Sequence, residues 1–201
     1  PPVVVLATSA QDAAALVCQV DPELGSKLRS IEMLSLASAT LIYDKPQTEV
    51  QGFGCLFPPK EHFHTAGVLF NSYIFSHRQT PYSETWILSG DFCHKPNDEI
   101  LKLILEDRQR VIKNVGSSND HQPKYFSITK WPEALPKYNI QLETILSQLP
   151  RLGNSLICNT KNIYLVGNYL GQIGLSGIQE IASQLPNVIS HLPDFKVNKN
   201  I

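Results

Sequence analysis

Gly167, Gly171, Gly174 and Gly177 follow an apolar run, Ile163 to Val166, and flank Ser176. The pattern reads as a strand, a bare loop and a helix start. Glycine has no Cβ, so a loop rich in it can take positive φ or bring its backbone close to a ligand. A helix N-terminus adds unpaired N–H groups and the positive end of the dipole, which attract an anion or an electron-rich heteroatom. The chemistry on offer is ligand binding by backbone. The spacing Gly-x3-Gly-x2-Gly-x2-Gly is neither the dinucleotide fingerprint Gly-x-Gly-x-x-Gly nor a Walker A loop, because no lysine follows. Ser176 with Gln179 three residues on fits a capping box. An ordinary strand-to-helix connection is the plain alternative.

Other residues carry weaker chemistry. His62-Phe63-His64 sets two imidazoles on one face of an extended segment, which suits a metal, but the sequence names no third ligand. Two surface histidines are the plainer reading, and no metal is expected. Cys93 and His94 are adjacent, and adjacent strand residues point to opposite faces, so they form no nucleophile and base. Gly174-Leu175-Ser176-Gly177-Ile178 fails the nucleophile-elbow pattern at its last position. Glu61, Glu84, Asp91, Asp98, Glu99, Glu106 and Asp107 read mostly as helix-surface or turn positions with no acid–base pair. Arg78 sits among turn residues and is either a carboxylate receptor or a solvated side chain. The segment Trp131-Pro132-Glu133-Ala134-Leu135-Pro136-Lys137-Tyr138 holds two aromatics and two prolines. It reads as a stiff, flat-sided loop that lines a planar ligand, or as a packed corner between strand and helix.

Composition narrows the classes. The 201 residues suit one ordinary domain or one and a half smaller ones. With 42% apolar and 17% charged residues the chain is ordered and globular rather than disordered. A net charge of −1 recommends neither nucleic acid nor an anionic membrane as partner. No apolar run approaches the roughly 20 residues of a spanning helix. Cys18, Cys55, Cys93 and Cys158 include no C-x-x-C pair, so buried free thiols are expected.

The elements that must position these residues alternate in type. Val3 to Thr8 is an apolar, β-branched run of the kind covered on both faces in a parallel sheet. Ser9 with Asp12 starts a helix, and Asp21 with Pro22 starts another. Strands are expected at Leu34–Tyr43, Gly52–Phe57, Gly67–Phe70 and Thr85–Ser89, with short connections that favour antiparallel pairing. A helix follows from Asn97 or Asp98, its apolar stripe from Ile100 to Val115 broken by Arg108. Gly116 to His121 is a polar loop. Lys124–Trp131 is a strand ended by Pro132. Asn139–Leu149 is a capped amphipathic helix. The helix after Ser176 should end or kink at Pro186, and the tail from Phe195 should fray. If the two end strands lie side by side in one parallel sheet, the middle is an inserted domain.

Three of these blocks, Gly52-Phe-Gly-Cys-Leu-Phe-Pro58, Trp131 to Tyr138 and Ile163 to Gly174, resemble the C-terminal half of the protoporphyrinogen oxidases, in this order and at this spacing. Those enzymes are members of the flavin-containing amine oxidase superfamily. Val3 to Ser9 is similar to the strand by which their chain leaves the flavin-binding domain. The likeness covers roughly residues 1–185.

The resemblance implies an α/β (α+β) fold. A mixed, largely antiparallel sheet with helices forms a substrate domain, flanked by strand–helix pieces of a doubly wound FAD-binding domain. The expected division is residues 1–20, 21–160 and 161–201, the outer two in the FAD-binding domain. FAD is the implied cofactor. Its contacts carry over to Gly167, Asn168, Tyr169, Leu170, Gly174, Leu175, Ser176 and Gly177, with Ala7 and Thr8 toward the diphosphate and Trp131 and Tyr138 toward the ring. Arg78, read above as a carboxylate receptor, is the expected substrate contact. The implied reaction is hydride removal from a porphyrinogen to flavin, repeated, with oxygen or another acceptor reoxidising the cofactor in heme biosynthesis.

The chain has Gln141-Leu142 where the family commonly has Gly-His, and it lacks the Gly-x-Gly-x-x-Gly unit. That absence and the Pro1 start suggest a fragment or truncated product whose partner is a missing N-terminal FAD-binding segment. A parent enzyme in the cytoplasm, with peripheral membrane contact as a variant, and an inactive isolated segment are the matching expectations. A non-enzymatic binding domain on a degenerate flavoenzyme scaffold, and a flavin oxidase with another substrate, are the alternatives.

Overall fold

A computed structural model describes residues 3–44, 51–75, 77, 80–114, 122–151, 157–171 and 174–190. Arg78, the polar loop at 116–121 and the tail from Phe195 lie outside the described residues. The elements run β1 (Val4–Leu6), α1 (Ala10–Val17), α2 (Pro22–Arg29), β2 (Met33–Tyr43), β3 (Gly54–Leu56), β4 (Thr65–Leu69), α3 (Asn71–Ile74), β5 (Tyr82–Ser89), α4 (Asn97–Asn114), β6 (Tyr125–Pro136), α5 (Ile140–Ser147), β7 (Cys158–Thr160), β8 (Ile163–Leu165) and α6 (Leu175–Ser190). They divide into two compact units, one of Pro1–Leu34 with Leu135–Ile201, the other of Ser35–Ala134.

In the first unit β1 pairs in parallel with β8, Val4 opposite Ile163 and Leu6 opposite Leu165, and β7 pairs antiparallel on the far side of β8. Strand alternation sends Ile163 and Leu165 to one face and Tyr164 and Val166 to the other. The first face packs on Ala13, Val17, Leu28, Ile145 and Leu146 of α1, α2 and α5. The second packs on Ile181 and Leu185 of α6. The central strand β8 of this short mixed sheet is thus covered on both faces, which explains why it is continuously apolar. The caps anticipated from the sequence are formed: Ser9 Oγ accepts the Asp12 N–H at 3.1 Å, Asp21 Oδ1 the Leu24 N–H at 3.0 Å and Asn139 Oδ1 the Leu142 N–H at 2.9 Å.

The second unit is a five-stranded sheet in the order β3-β4-β5-β2-β6. The pairs β3–β4, β4–β5 and β5–β2 are antiparallel. Ala37, Ala39, Leu41 and Tyr43 of β2 lie opposite Leu88, Trp86, Glu84 and Tyr82 of β5, and all eight are buried. Helix α4 covers this face through Ile100, Ile104, Arg108, Val111 and Ile112. The α/β reading of the fold, with a largely antiparallel sheet and flanking strand–helix pieces, matches this architecture, and all four cysteines are free thiols.

Four local expectations differ from the structure. Strand β6 continues through Pro132 to Pro136, so most of the supposed stiff loop is strand. It is the outermost strand of its sheet, where a missing N–H removes no ladder bond on the open side. Helix α6 continues past Pro186 to Ser190. Ser176 is not the cap of that helix, because the Ile178 N–H bonds to the Gly174 carbonyl at 3.0 Å and Ser176 falls inside the first turn. Glu84 and Asp107 are not surface carboxylates; they are 1% and 0% exposed.

Candidate functional site

Strands β1 and β8 end side by side, and the Val166 N–H bonds to the Leu6 carbonyl at 3.0 Å. Two backbone segments therefore leave the sheet together at its carboxyl edge, where ligands bind in open α/β sheets. From β1 come Ala7 and Thr8, both exposed, followed by the Ser9-capped start of α1. From β8 come Gly167 and Asn168, half-buried, and a 3-10 turn over Asn168–Leu170. The Leu170 N–H to Gly167 carbonyl bond, 3.2 Å, closes that turn.

The loop has a reason for two of its glycines. A Cβ on Gly167 would stand 2.4 Å from Cε1 of Tyr169, so only glycine lets the tyrosine ring fold back beneath the chain. Gly171 has φ +106°, a left-handed conformation that side chains resist. Tyr169 and Leu170 are 0% and 1% exposed and belong to the apolar core. What they present to a ligand is backbone, while their side chains anchor the loop. Burial, with Cys158 nearby, raises the Tyr169 hydroxyl pKa. Burial, with Asp21, pushes the Cys158 thiol up to about 12, so neither group is poised to react.

Tyr138 lies directly before α5, and its hydroxyl donates to the Asn168 carbonyl at 2.8 Å. Burial raises its pKa, so the hydroxyl keeps its proton and stays a donor. Beyond the loop, Gly174, Leu175 and Ser176 are exposed and Gly177 is half-buried at the start of α6. The unit thus brings Ala7, Thr8, Tyr138 and Gly167 to Leu170 into one compact body. Trp131 belongs to the other unit, where it is 53% exposed and its indole N–H donates to Ser38 Oγ at 3.4 Å. Arg78 lies outside the described residues.

The second unit carries two features of its own. A cavity of about 420 Å³ opens on its sheet, with Phe53, Cys55, Leu56 and Ile87 in the wall. Leu56 is 88% and Phe53 70% exposed, an apolar patch of the kind that marks a binding surface. Beneath the opposite face Glu84 accepts from Arg108 Nε at 3.1 Å and from Trp86 Nε1 at 3.0 Å, and the Arg108 guanidinium lies 4.5 Å from the Tyr43 ring centre. Asp107 accepts from the Thr65 N–H and hydroxyl, each at 2.8 Å. Burial works to lower the Arg108 pKa, but the Glu84 carboxylate more than offsets it and the net shift is upward. Parity was the available signal: Glu84 shares the core face of β5 with Tyr82, Trp86 and Leu88, and Arg108 sits on the apolar stripe of α4.

Among the described residues no group of three His, Cys, Asp or Glu side chains could hold a metal. Nor is any described helix long and apolar enough to cross a membrane. The strand-end loops offer backbone donors and close approach, a binding site rather than an acid–base one.

No family model matches the chain. It is 27% identical over 159 residues to protoporphyrinogen oxidase 2, chloroplastic/mitochondrial, of Arabidopsis thaliana, covering 75% of this chain and 29% of that protein. It is 25% identical over 152 residues to the mitochondrial protoporphyrinogen oxidase of Nicotiana tabacum, covering 71% of this chain and 28% of that protein. The chain therefore spans under a third of the length of the curated relatives it matches. Among solved structures, a protein assigned as a protoporphyrinogen oxidase from Exiguobacterium sp. 255-15 superposes with a TM-score of 0.70 at 16% identity, over 93% of this chain and 40% of that one. UDP-galactopyranose mutase gives 0.62 at 11% identity, over 92% of this chain and 41% of that one. Putrescine oxidase gives 0.61 at 12% identity, over 94% and 42%. The chain is similar in sequence to protoporphyrinogen oxidases over about three quarters of its length, and it shares its fold with these solved structures.

Proposed function

We propose that this chain is the C-terminal portion of a FAD-dependent oxidoreductase that oxidises a porphyrinogen. The observation that carries the reading is the pairing of β1 with β8, which sets two chain exits at one sheet edge in a segment similar to protoporphyrinogen oxidases. FAD fits the residues present. Its diphosphate needs backbone N–H groups and a helix start, which Thr8, Ser9 and α1 supply. Its ring and ribityl chain need close backbone approach, which the turn from Gly167 to Gly171 allows. The start of α6, from Gly174 to Gly177, and Tyr138 complete that set in the first unit. In this reading the first unit belongs to the FAD-binding domain, and Ser35–Ala134 is the substrate domain. The apolar cavity by Phe53 and Leu56 holds the flat apolar body of the substrate; Arg78 meets a substrate carboxylate. The bound flavin supplies the hydride-accepting chemistry that side chains lack. The rest of the cofactor's contacts come from a separate or upstream dinucleotide-binding segment.

The substrate is tested by mixing the flavin-loaded protein anaerobically with a porphyrinogen and, separately, with putrescine. Bleaching of the flavin by the porphyrinogen alone supports the proposal. Bleaching by the amine alone transfers the chain to the amine oxidases, whose fold it shares.

A second reading, motivated by the absence of a Gly-x-Gly-x-x-Gly unit from these 201 residues, is a binding module without catalysis. Calorimetry of the 201-residue chain separates the two. Porphyrin binding without FAD binding supports the module.

A further inference from the structure

The exposed aromatic at the end of the β6 segment has a partner that its sequence position did not suggest. Tyr138 is 43% exposed, yet its hydroxyl reaches across to the Asn168 carbonyl at 2.8 Å, thirty residues on in the chain. On one side of this bond stands α5, whose first turn is fixed by the Asn139 cap and whose Leu142, Ile145 and Leu146 are in the core. On the other stands the turn that follows β8. The bond therefore ties a rigid helix to a loop that has little regular structure of its own.

We propose that Tyr138 is a positioning residue, whose hydroxyl sets the orientation of the Asn168–Tyr169 peptide in the ligand-facing loop, rather than a side chain that stacks on the ligand. The reason is geometric. The peptide group is planar and trans, so its C=O and N–H point in opposite directions. Holding the Asn168 oxygen toward Tyr138 turns the Tyr169 N–H to the far side. Two anchors restrict the rest of the turn: the Tyr169 ring against Gly167, and the Leu170 N–H to Gly167 carbonyl bond at 3.2 Å. The Asn168 carbonyl takes a hydrogen bond from Tyr138. Burial keeps the tyrosine protonated, so the clamp persists through neutral and mildly alkaline pH.

The inference rests on the flavin reading only for the identity of the ligand, and the test separates the two. Tyr138→Phe removes the hydroxyl and keeps the ring. Amide hydrogen exchange of the ligand-free 201-residue protein reads the clamp directly. The variant should exchange roughly five- to tenfold faster at Asn168 to Gly171, the scale of one lost hydrogen bond. The thermal midpoint should fall by only a few degrees, the scale of one lost hydrogen bond, with exchange across Ala10–Val17 changing no more than in the loop, whereas a general structural role for the tyrosine would lower the midpoint much further. FAD titration of both proteins, each joined to its dinucleotide-binding segment, is the second arm, with binding expected to weaken by a similar factor. Unchanged exchange in the variant overturns the clamp. Faster exchange with equal FAD affinity overturns its role toward the ligand. Wild-type protein that takes up no FAD, with exchange responding as expected, counts against the flavin reading and leaves the clamp standing.

Discussion

The two units bury their polar groups in opposite ways. The unit of Ser35–Ala134 carries charge inside: Glu84, Arg108 and Asp107 are at most 2% exposed, each hydrogen-bonded, and they tie α4 to β4 and β5. The unit of Pro1–Leu34 with Leu135–Ile201 has an apolar core, and its polar contacts lie at chain turns: Ser9, Asp21, Asn139 and Tyr138 each hold a helix start or a loop. A buried ion pair fixes one arrangement at high cost of disruption, because removing one partner leaves the other charged and dry. A turn held by single hydrogen bonds leaves its backbone available to a ligand. The first unit is organised as a scaffold around a sheet edge, the second as a closed support for a sheet face.

The sharpest way to break this contrast is in the ion pair. Arg108→Met should destabilise the protein by about 3–5 kcal/mol, read by urea denaturation, with exchange protection lost first across α4 and β5. Adding Glu84→Leu should recover most of that loss, since two apolar groups replace the pair. If the single variant costs under about 1 kcal/mol, the network is not what holds α4.

Gly167→Ala comes next. Its Cβ meets the Tyr169 ring, so the ring or the turn must move, at about 1–3 kcal/mol by thermal denaturation, with FAD affinity reduced alongside. An alanine tolerated without loss would show that the loop is not pinned. Asn139→Ala removes only the α5 cap and should cost about 1 kcal/mol.

The smallest effect is pH-dependent. The Leu24 N–H and then the Thr160 hydroxyl hold the Asp21 pKa below its ordinary value. A depressed carboxyl stabilises the fold above its unfolded pKa of about 3.9, and that contribution is lost as pH falls through the lower folded value. Thr160→Val should therefore be slightly less stable than wild type at neutral pH, the gap closing below about pH 4. A gap constant across an acid titration would mean that Asp21 is not involved.

Much of the first unit was legible because its signals are local. Ser9, Asp21 and Asn139 announce helix starts by side-chain chemistry alone, and β-branched runs announce β1 and β8. The strands of the second unit were legible by alternation, within a few residues. Its interior was not, because a glutamate and an arginine 24 positions apart look like surface residues until the sheet and α4 bring them together. The prolines misled for a related reason: Pro132 breaks a strand only where its N–H is needed, and an edge position does not need it. At the candidate site the glycine spacing located the turn that follows β8. It could not tell that Tyr169 turns inward or that Tyr138 reaches Asn168, since both depend on α5 and the core.

The central claim is that the loops leaving β1 and β8 form one wall of a flavin site. Its most direct measurement is the visible absorbance of the purified polypeptide in which this segment is joined to its dinucleotide-binding segment, before and after added FAD. The account predicts a yellow protein whose flavin remains through gel filtration and is lost or weakened in Gly167→Ala. A colourless product that takes up no added FAD would contradict it.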